Sequence, residues 1–336
     1  MSGGPISFAL VARLTDDIGI FEHAELTEPR PEHGFCVDDV ARALVVTTRE
    51  PDPSPELLAL SRVYLPFLAD AQIGNGRFHN RRSVGGAWTD QPAIGDWWGR
   101  ALWGLGTAAA RSPLYAAEAL RLFETSADLR APWSRTLAFA ALGAAEVLTV
   151  HPEHRSARAL LENSARFIST PAITPEWPWP EPRLRYANAV LPEVLIAAGS
   201  LLQTPEWTAL GLTMLRWLLD VETADDHLSV VPTGGWSAGE PRPGFDQQPI
   251  EIATLSDACA RALGVTGDVA WQDAISLCAA WFEGANDAGI SLRDPVSGGA
   301  CDGLEPLGRN ENQGAESTLA LISTLQHSRR LLVPAS

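Results

Sequence analysis

Asp38 and Asp39 stand side by side in Gly34-Phe35-Cys36-Val37-Asp38-Asp39-Val40-Ala41-Arg42-Ala43-Leu44, at the start of a predicted helix. Two adjacent acids on a helix cannot face one way, so one caps the helix or meets Arg42 while the other points into a cavity at the helix end. Gly95-Asp96-Trp97-Trp98-Gly99-Arg100-Ala101-Leu102 repeats the D-x-x-x-R-A-L spacing. A third copy, Asp257–Leu263, falls inside a helix, where the spacing predicts an ordinary i,i+4 ion pair. Two later stretches mix amides, acids and glycine: Phe245-Asp246-Gln247-Gln248-Pro249-Ile250-Glu251, and Cys301-Asp302 followed by Asn310-Glu311-Asn312-Gln313-Gly314-Ala315-Glu316. Gln248 and Glu251 have capping-box spacing, but capping uses one or two such groups. The surplus calls for a ligand or a complete hydrogen-bond network. Acids gathered at one cavity suit general acid/base cleavage of a sugar–sugar bond, in which one carboxyl protonates the leaving oxygen and another activates water. Asp38, Asp39, Glu251 and Glu316 are the catalytic candidates, with crowding expected to keep one of them protonated. Asp96, Asp246, Gln247, Gln248, Asp302, Asn312 and Gln313 are candidates for holding hydroxyls. Trp88, Trp97, Trp98, Trp177, Trp179 and Trp236 lie in the same loops and offer flat apolar faces with a donor edge, suited to stacking on sugar rings.

Apolar spacing near 3.6 residues predicts the elements that must position these groups. Twelve segments emerge. The odd-numbered ones are Ile6–Asp17, Pro55–Gln72, Leu114–Leu129, Ser156–Thr170, Pro205–Val221 and Val269–Asn286. The even-numbered ones are Asp38–Arg49, Asp96–Ala110, Trp133–Val150, Leu184–Gln203, Gln247–Leu263 and Gln313–Ser328. Connections from odd to even segments are mostly long and rich in Gly, Trp and acid, while those from even to odd are short Pro or Gly turns. Loops long enough to stand out in a compact domain are usually functional, and here all open one end of the same array. The even segments, such as Ala138–Leu148, are apolar nearly all round, as a helix covered on both sides must be. The expected architecture is all-α, an (α/α)6 toroid of six outer–inner hairpins with a loop-lined cavity at one end. Asp38, Asp96 and Asn312 are expected as N-caps, and Pro249 in a first turn. Uneven spacing of the segment starts argues against an open fixed-period solenoid.

No compositional break divides the 336 residues, so one domain spanning 1–336 is expected. No signal peptide or membrane-spanning run is read. The four cysteines form no CxxC or finger spacing, which predicts reduced thiols, a cytoplasmic location and no structural zinc. A net charge of −16 disfavours nucleic acid and anionic membranes as partners. The chain contains no lysine, which removes Schiff-base chemistry, lysine-anchored pyridoxal phosphate and a Walker-A loop. No cofactor and no catalytic metal is expected.

The chain resembles the six-hairpin glycosidase-like superfamily, and within it a poorly characterised bacterial group often fused or adjacent to group 1 glycosyltransferases. The resemblance rests on Glu32-His33-Gly34-Phe35-Cys36-Val37-Asp38-Asp39, Gly99-Arg100-Ala101-Leu102-Trp103, Trp177-Pro178-Trp179, Phe245-Asp246-Gln247-Gln248-Pro249-Ile250-Glu251 and Asn312-Gln313-Gly314-Ala315-Glu316-Ser317-Thr318. It implies an (α/α)6 toroid, a carbohydrate substrate and a functional link to a glycosyltransferase. Val40, Gly95 and Trp98 depart from the group's pattern, which expects a polar residue, an acid and a histidine there, and this puts the role of Asp96 in question.

The leading expectation is an inverting glycoside hydrolase acting on an oligosaccharide or polysaccharide, with a mannoside preferred because related toroids with tandem Asp residues include α-mannan hydrolases. A phosphorylase would have to hold phosphate through arginines such as Arg81, Arg82, Arg183 or Arg185. Sugar epimerase, isomerase or lyase chemistry would draw on His79, His227 and Tyr186. A non-catalytic glycan-binding accessory is the third class. The likeness of Val37-Asp38-Asp39-Val40-Ala41 to a class II terpene cyclase acid motif fails, because Cys36 replaces the leading Asp and the loops are polar.

Overall fold

The computed structural model describes residues 6–112, 114–171 and 173–332. Among these, twelve α-helices alternate between an outer and an inner layer. The outer helices are α1 (Ala9–Arg13), α3 (Pro55–Ala71), α5 (Ala116–Ser126), α7 (Arg155–Ser169), α9 (Pro205–Val221) and α11 (Ala270–Phe282). The inner ones are α2 (Val37–Thr48), α4 (Asp96–Arg111), α6 (Ser134–Val150), α8 (Val190–Leu201), α10 (Pro249–Thr266) and α12 (Ala315–Leu331). Inner helices pack on one another in chain order, and α12 packs back on α2, which closes the ring.

Burial follows the sequence pattern. Every residue of α6 from Arg135 to Leu148 is buried, as is every residue of α8 from Val190 to Gly199. The outer helix α9 buries only Gly211, Met214, Leu215 and Leu218, an i, i+4, i+7 stripe. Small residues bring inner backbones together: a Cβ on Gly106 would collide with the carbonyl of Gly143, and one on Gly143 with that of Leu102, so α4 and α6 touch main chain to main chain.

The long connections from outer to inner helices carry eight short strands, β1 (Ala24–Glu25), β2 (Glu28–Pro29), β3 (Phe35–Cys36), β4 (Arg81–Arg82), β5 (Thr223–Ala224), β6 (His227–Leu228), β7 (Gly303–Glu305) and β8 (Gly308–Asn310). Three antiparallel pairs are local, β1–β2, β5–β6 and β7–β8. The pair β3–β4 instead ties the first mouth loop to the second. Gly34, at φ 68°, turns the chain into β3; a Cβ there would strike the Arg82 carbonyl.

Helix starts differ from expectation where tertiary contacts take over. The helix expected from Leu184 begins at Val190, because Leu184 exchanges backbone hydrogen bonds with Trp236 (2.8 and 3.1 Å) and Ala187 sits at φ 48°. Asp38, Asp96 and Asn312 are not N-caps; Cys36, Gly95 and Gly314 occupy those positions, none with a side-chain cap. Gln248 is an N-cap without a side-chain bond, so its expected box with Glu251 does not form, while Pro249 stands at the first helical position as expected.

Candidate active site

The N-terminal ends of α2, α4, α10 and α12 surround a cavity of about 470 Å³. Its acid lining comes from Asp38 and Asp39 in the first turn of α2, Asp96 in that of α4, Glu316 in that of α12, and Asp302 and Glu22 in the loops. A carboxylate in a first turn is favoured by the positive end of the helix dipole, which partly offsets the cost of gathering acids.

Two buried arginines organise these acids. Arg100 donates to Asp38 at 2.8 Å, and its guanidinium lies 4.4 Å from the centre of the Phe139 ring. Arg42 donates to Asp39 at 2.5 Å and through its other terminal nitrogen to Glu316. Hydrogen bonds across one guanidinium therefore hold Asp39 and Glu316 within roughly 8 Å of each other. The Nε atoms of Arg42 and Arg100 have no partner although both are buried. Asp39 also accepts from Cys36 Sγ at 3.1 Å; burial pushes its carboxyl up to about 6 against the pull of Arg42. Burial likewise raises Asp302, whose Oδ1 accepts the Gly314 amide at 2.8 Å. Glu316 is the open member, with 40% of its side chain exposed, against 17% for Asp38 and 3% for Asp39. Asp96 accepts from Thr136 Oγ1 at 2.5 Å.

Several candidates lie elsewhere, each for a definite reason. Glu251 is withdrawn from the cavity: it accepts the backbone amides of Ala187 (2.5 Å) and Asn188 (3.2 Å), fixing the loop before α8, and burial raises its carboxyl to about 7. Gln247 is fully buried and spans Gly244, Asp287 and Trp281. Gln313 bridges Ser297 and Asp294, and Asn312 accepts the Leu26 amide at 2.9 Å. Asp246 is exposed outside the cavity. Gln248 and Tyr186 do line it.

The expected tryptophan platforms are loop anchors. Trp98 and Trp179 are buried to within 1%. Trp97 donates to the Phe78 carbonyl (2.9 Å) and Trp98 to that of Gly76 (3.2 Å), pinning the second mouth loop. Trp177 touches Trp217 and Trp236, and Trp179 touches Trp217, so the four form one cluster against α9. Trp88 stacks on His79, whose Nδ1 lies 3.0 Å from the Asp90 carbonyl. His227 bonds Asp287 at 2.8 Å, away from the cavity. The pair expected between Asp257 and Arg261 is also absent: Asp257 meets Arg49 and His327, and Arg261 meets Glu146 and Glu193.

Sequence reasoning missed Glu22, His23 and Ser317 as lining residues and gave Arg42 and Arg100 no partners beyond their own helices. Nothing in the spacing around Glu22-His23 distinguishes it from an ordinary loop. Glu22, Cys36 and Asp39 present ligand atoms within 4.8 Å of one another. Asp39 already pairs with Arg42 and Glu22 with Arg81, so the charge a cation would neutralise there is largely met.

A closed ring of six outer–inner helical hairpins is an (α/α)6 toroid, a fold shared with solved structures of carbohydrate-processing enzymes. No family model matches the sequence, and no curated relative matches it. Among solved structures, a sugar epimerase from a ruminal bacterium superposes with a TM-score of 0.72 at 12% identity, covering 98% of this chain and 96% of the other. Cellobiose 2-epimerase from Spirochaeta thermophila gives 0.69 at 14% identity over 97% and 94%. An α-mannanase from Bacteroides thetaiotaomicron gives 0.67 at 9% identity over 96% and 94%. At such identities the likeness is one of fold.

Proposed function

We propose that residues 1–336 act as one unit and that it is an inverting glycoside hydrolase, with a mannoside as preferred substrate. The observation that carries this reading is the presentation of Asp38 and Glu316 to one cavity by adjacent helices, α2 and α12, each on a buried guanidinium. Packed helices have axes about 8–10 Å apart, so carboxyls leaning from two of them into one cavity are able to stand at the roughly 6.5–9.5 Å that leaves room for the water of an inverting pair. In the proposed reaction Glu316, the more open acid, protonates the glycosidic oxygen. Asp38 takes a proton from the water that attacks the anomeric carbon from the opposite face. Asp39 holds Arg42 rather than touching the sugar, while Asp96, Tyr186, Gln248 and Asp302 hold hydroxyls. The α-mannanase neighbour supports the mannoside preference. The four buried free thiols fit the expected reducing, cytoplasmic location, and the glycosyltransferase link rests on the sequence resemblance.

The test is a screen of manno- and gluco-oligosaccharides with product anomers followed by NMR. Glu316→Gln is expected to keep activity on aryl glycosides whose leaving group needs no proton, and azide to restore turnover to Asp38→Ala as a glycosyl azide. Isomerised rather than hydrolysed product would favour the second reading, sugar epimerisation. That reading draws on the epimerase neighbours and on Tyr186 and His23 at the cavity.

A further inference from the structure

Beside the acidic cavity lies a second, larger one of about 790 Å³, and the two share Asp96 and Tyr186 as a common wall. It runs from that wall to Trp133, the N-cap of α6, and to Phe167 near the end of α7. Trp133 is 56% exposed and is the one tryptophan of the chain's twelve that is largely open to solvent. Phe167 is 43% exposed. All other tryptophans serve packing, so an exposed indole at a cavity rim calls for a separate reason. Pro132, Ile168, Pro171, Pro180 and Pro182 also line the groove, and a polar strip built on Arg135 lies between the aromatic rim and the shared wall. Arg135, 5% exposed, donates to Glu181, to the Tyr186 carbonyl (3.0 Å) and to Asn188 (3.0 Å), which also fixes Tyr186 at the junction.

We propose that this groove binds the continuation of a neutral glycan chain whose reacting residue sits in the acidic cavity, with Trp133 stacking on a sugar ring. Continuity through Asp96 and Tyr186 selects the occupant. An aromatic face beside a preordered pair of opposite charges suits a ligand with apolar ring faces and a hydroxyl rim, rather than an ion or a lipid tail. This inference rests on the glycan reading above and makes the substrate a chain rather than a monosaccharide.

The experiment is calorimetric or fluorescence titration of the full chain with α-linked manno-oligosaccharides and β-linked gluco-oligosaccharides of one to six residues. In the wild type, affinity is expected to rise with length as residues enter the groove. Trp133→Ala is expected to abolish that rise, with roughly tenfold weaker binding of the longest member, and Trp133→Phe to restore most of it. Length-independent binding to the wild type, or a rise unchanged in Trp133→Ala, overturns the groove assignment and leaves the glycan reading standing. Failure of every member of both series to bind overturns both.

Discussion

At the mouth of the ring, Asp38 meets Arg100, and Arg42 joins Asp39 to Glu316, around a cavity of about 470 Å³. At the far end, Arg49 meets Asp257, His327 lies 2.5 Å from the same carboxylate, and Glu146 takes Arg111 and Arg261, around about 110 Å³. Both clusters use Asp, Glu and Arg, and both contain a copy of the D-x-x-x-R spacing. In none of the three copies does the arginine pair with the aspartate four residues before it: Arg42 takes Asp39 and Glu316, Arg100 takes Asp38, and Arg261 takes Glu146 and Glu193. The far cluster leaves little space in front of its acids, with Glu146 lowered to about 2 by Arg261 and Arg111 in spite of its burial, although Glu193 Oε2 and Arg261 Nε there also lack hydrogen-bond partners. The mouth keeps a carboxylate open and two buried donors without partners. Residue type and spacing alone do not separate a site from a clasp; the volume left in front of the carboxylates does.

Substitutions at the mouth should divide most sharply from those at the far end. Asp38→Asn and Glu316→Gln are expected to lower turnover on the natural glycan by about 10²–10⁴-fold with a melting temperature close to wild type, read by kinetics beside calorimetry. Wild-type turnover in both variants would dissolve the contrast. Asp257→Ala should do the reverse, removing about 3–5 kcal/mol of stability by leaving Arg49 buried and unpaired, while turnover of the folded fraction persists. Denaturant unfolding measures it, and a cost under about 1 kcal/mol would mean the far cluster is no clasp.

A subtler division is one of pH. Burial raises Glu222 to about 8 and Glu251 to about 7, so the folded state holds these protons more tightly than the unfolded chain. Stability should therefore fall as pH rises from about 4.5 to 8, whereas the lowered Glu146 contributes stability that is lost only as pH drops below about 4. Glu222→Gln should raise stability at pH 8 by on the order of 1–3 kcal/mol, with the gain fading toward pH 5. A pH-independent difference would refute this origin. The smallest effect belongs to His79→Ala, expected to change turnover by less than about twofold because the imidazole is stacked on Trp88 away from the cavity. A collapse of activity there would favour the proposed isomerase alternative over hydrolysis.

The ring itself was legible in the chain. Helical periodicity needs only neighbours three and four residues apart, and the all-round apolar runs such as Ala138–Leu148 already demanded cover on both sides, so the order of outer and inner helices follows locally. Grouping of Asp38, Asp39, Glu316 and Asp302 at one cavity followed from the same alternation, since every second helix start had to open at the same end. What the residues did not reveal was which polar side chains remain free. Glu251, Gln247 and Gln313 look like ligand groups in sequence, yet each is consumed by backbone or side chains more than ten residues away. Trp177, Trp179 and Trp236 look like sugar platforms and instead hold one another, while Trp133, undistinguished in the sequence, stands exposed. Secondary structure answers to the neighbouring residues, but the satisfaction of a buried polar or aromatic group depends on partners that only the closed ring brings within reach.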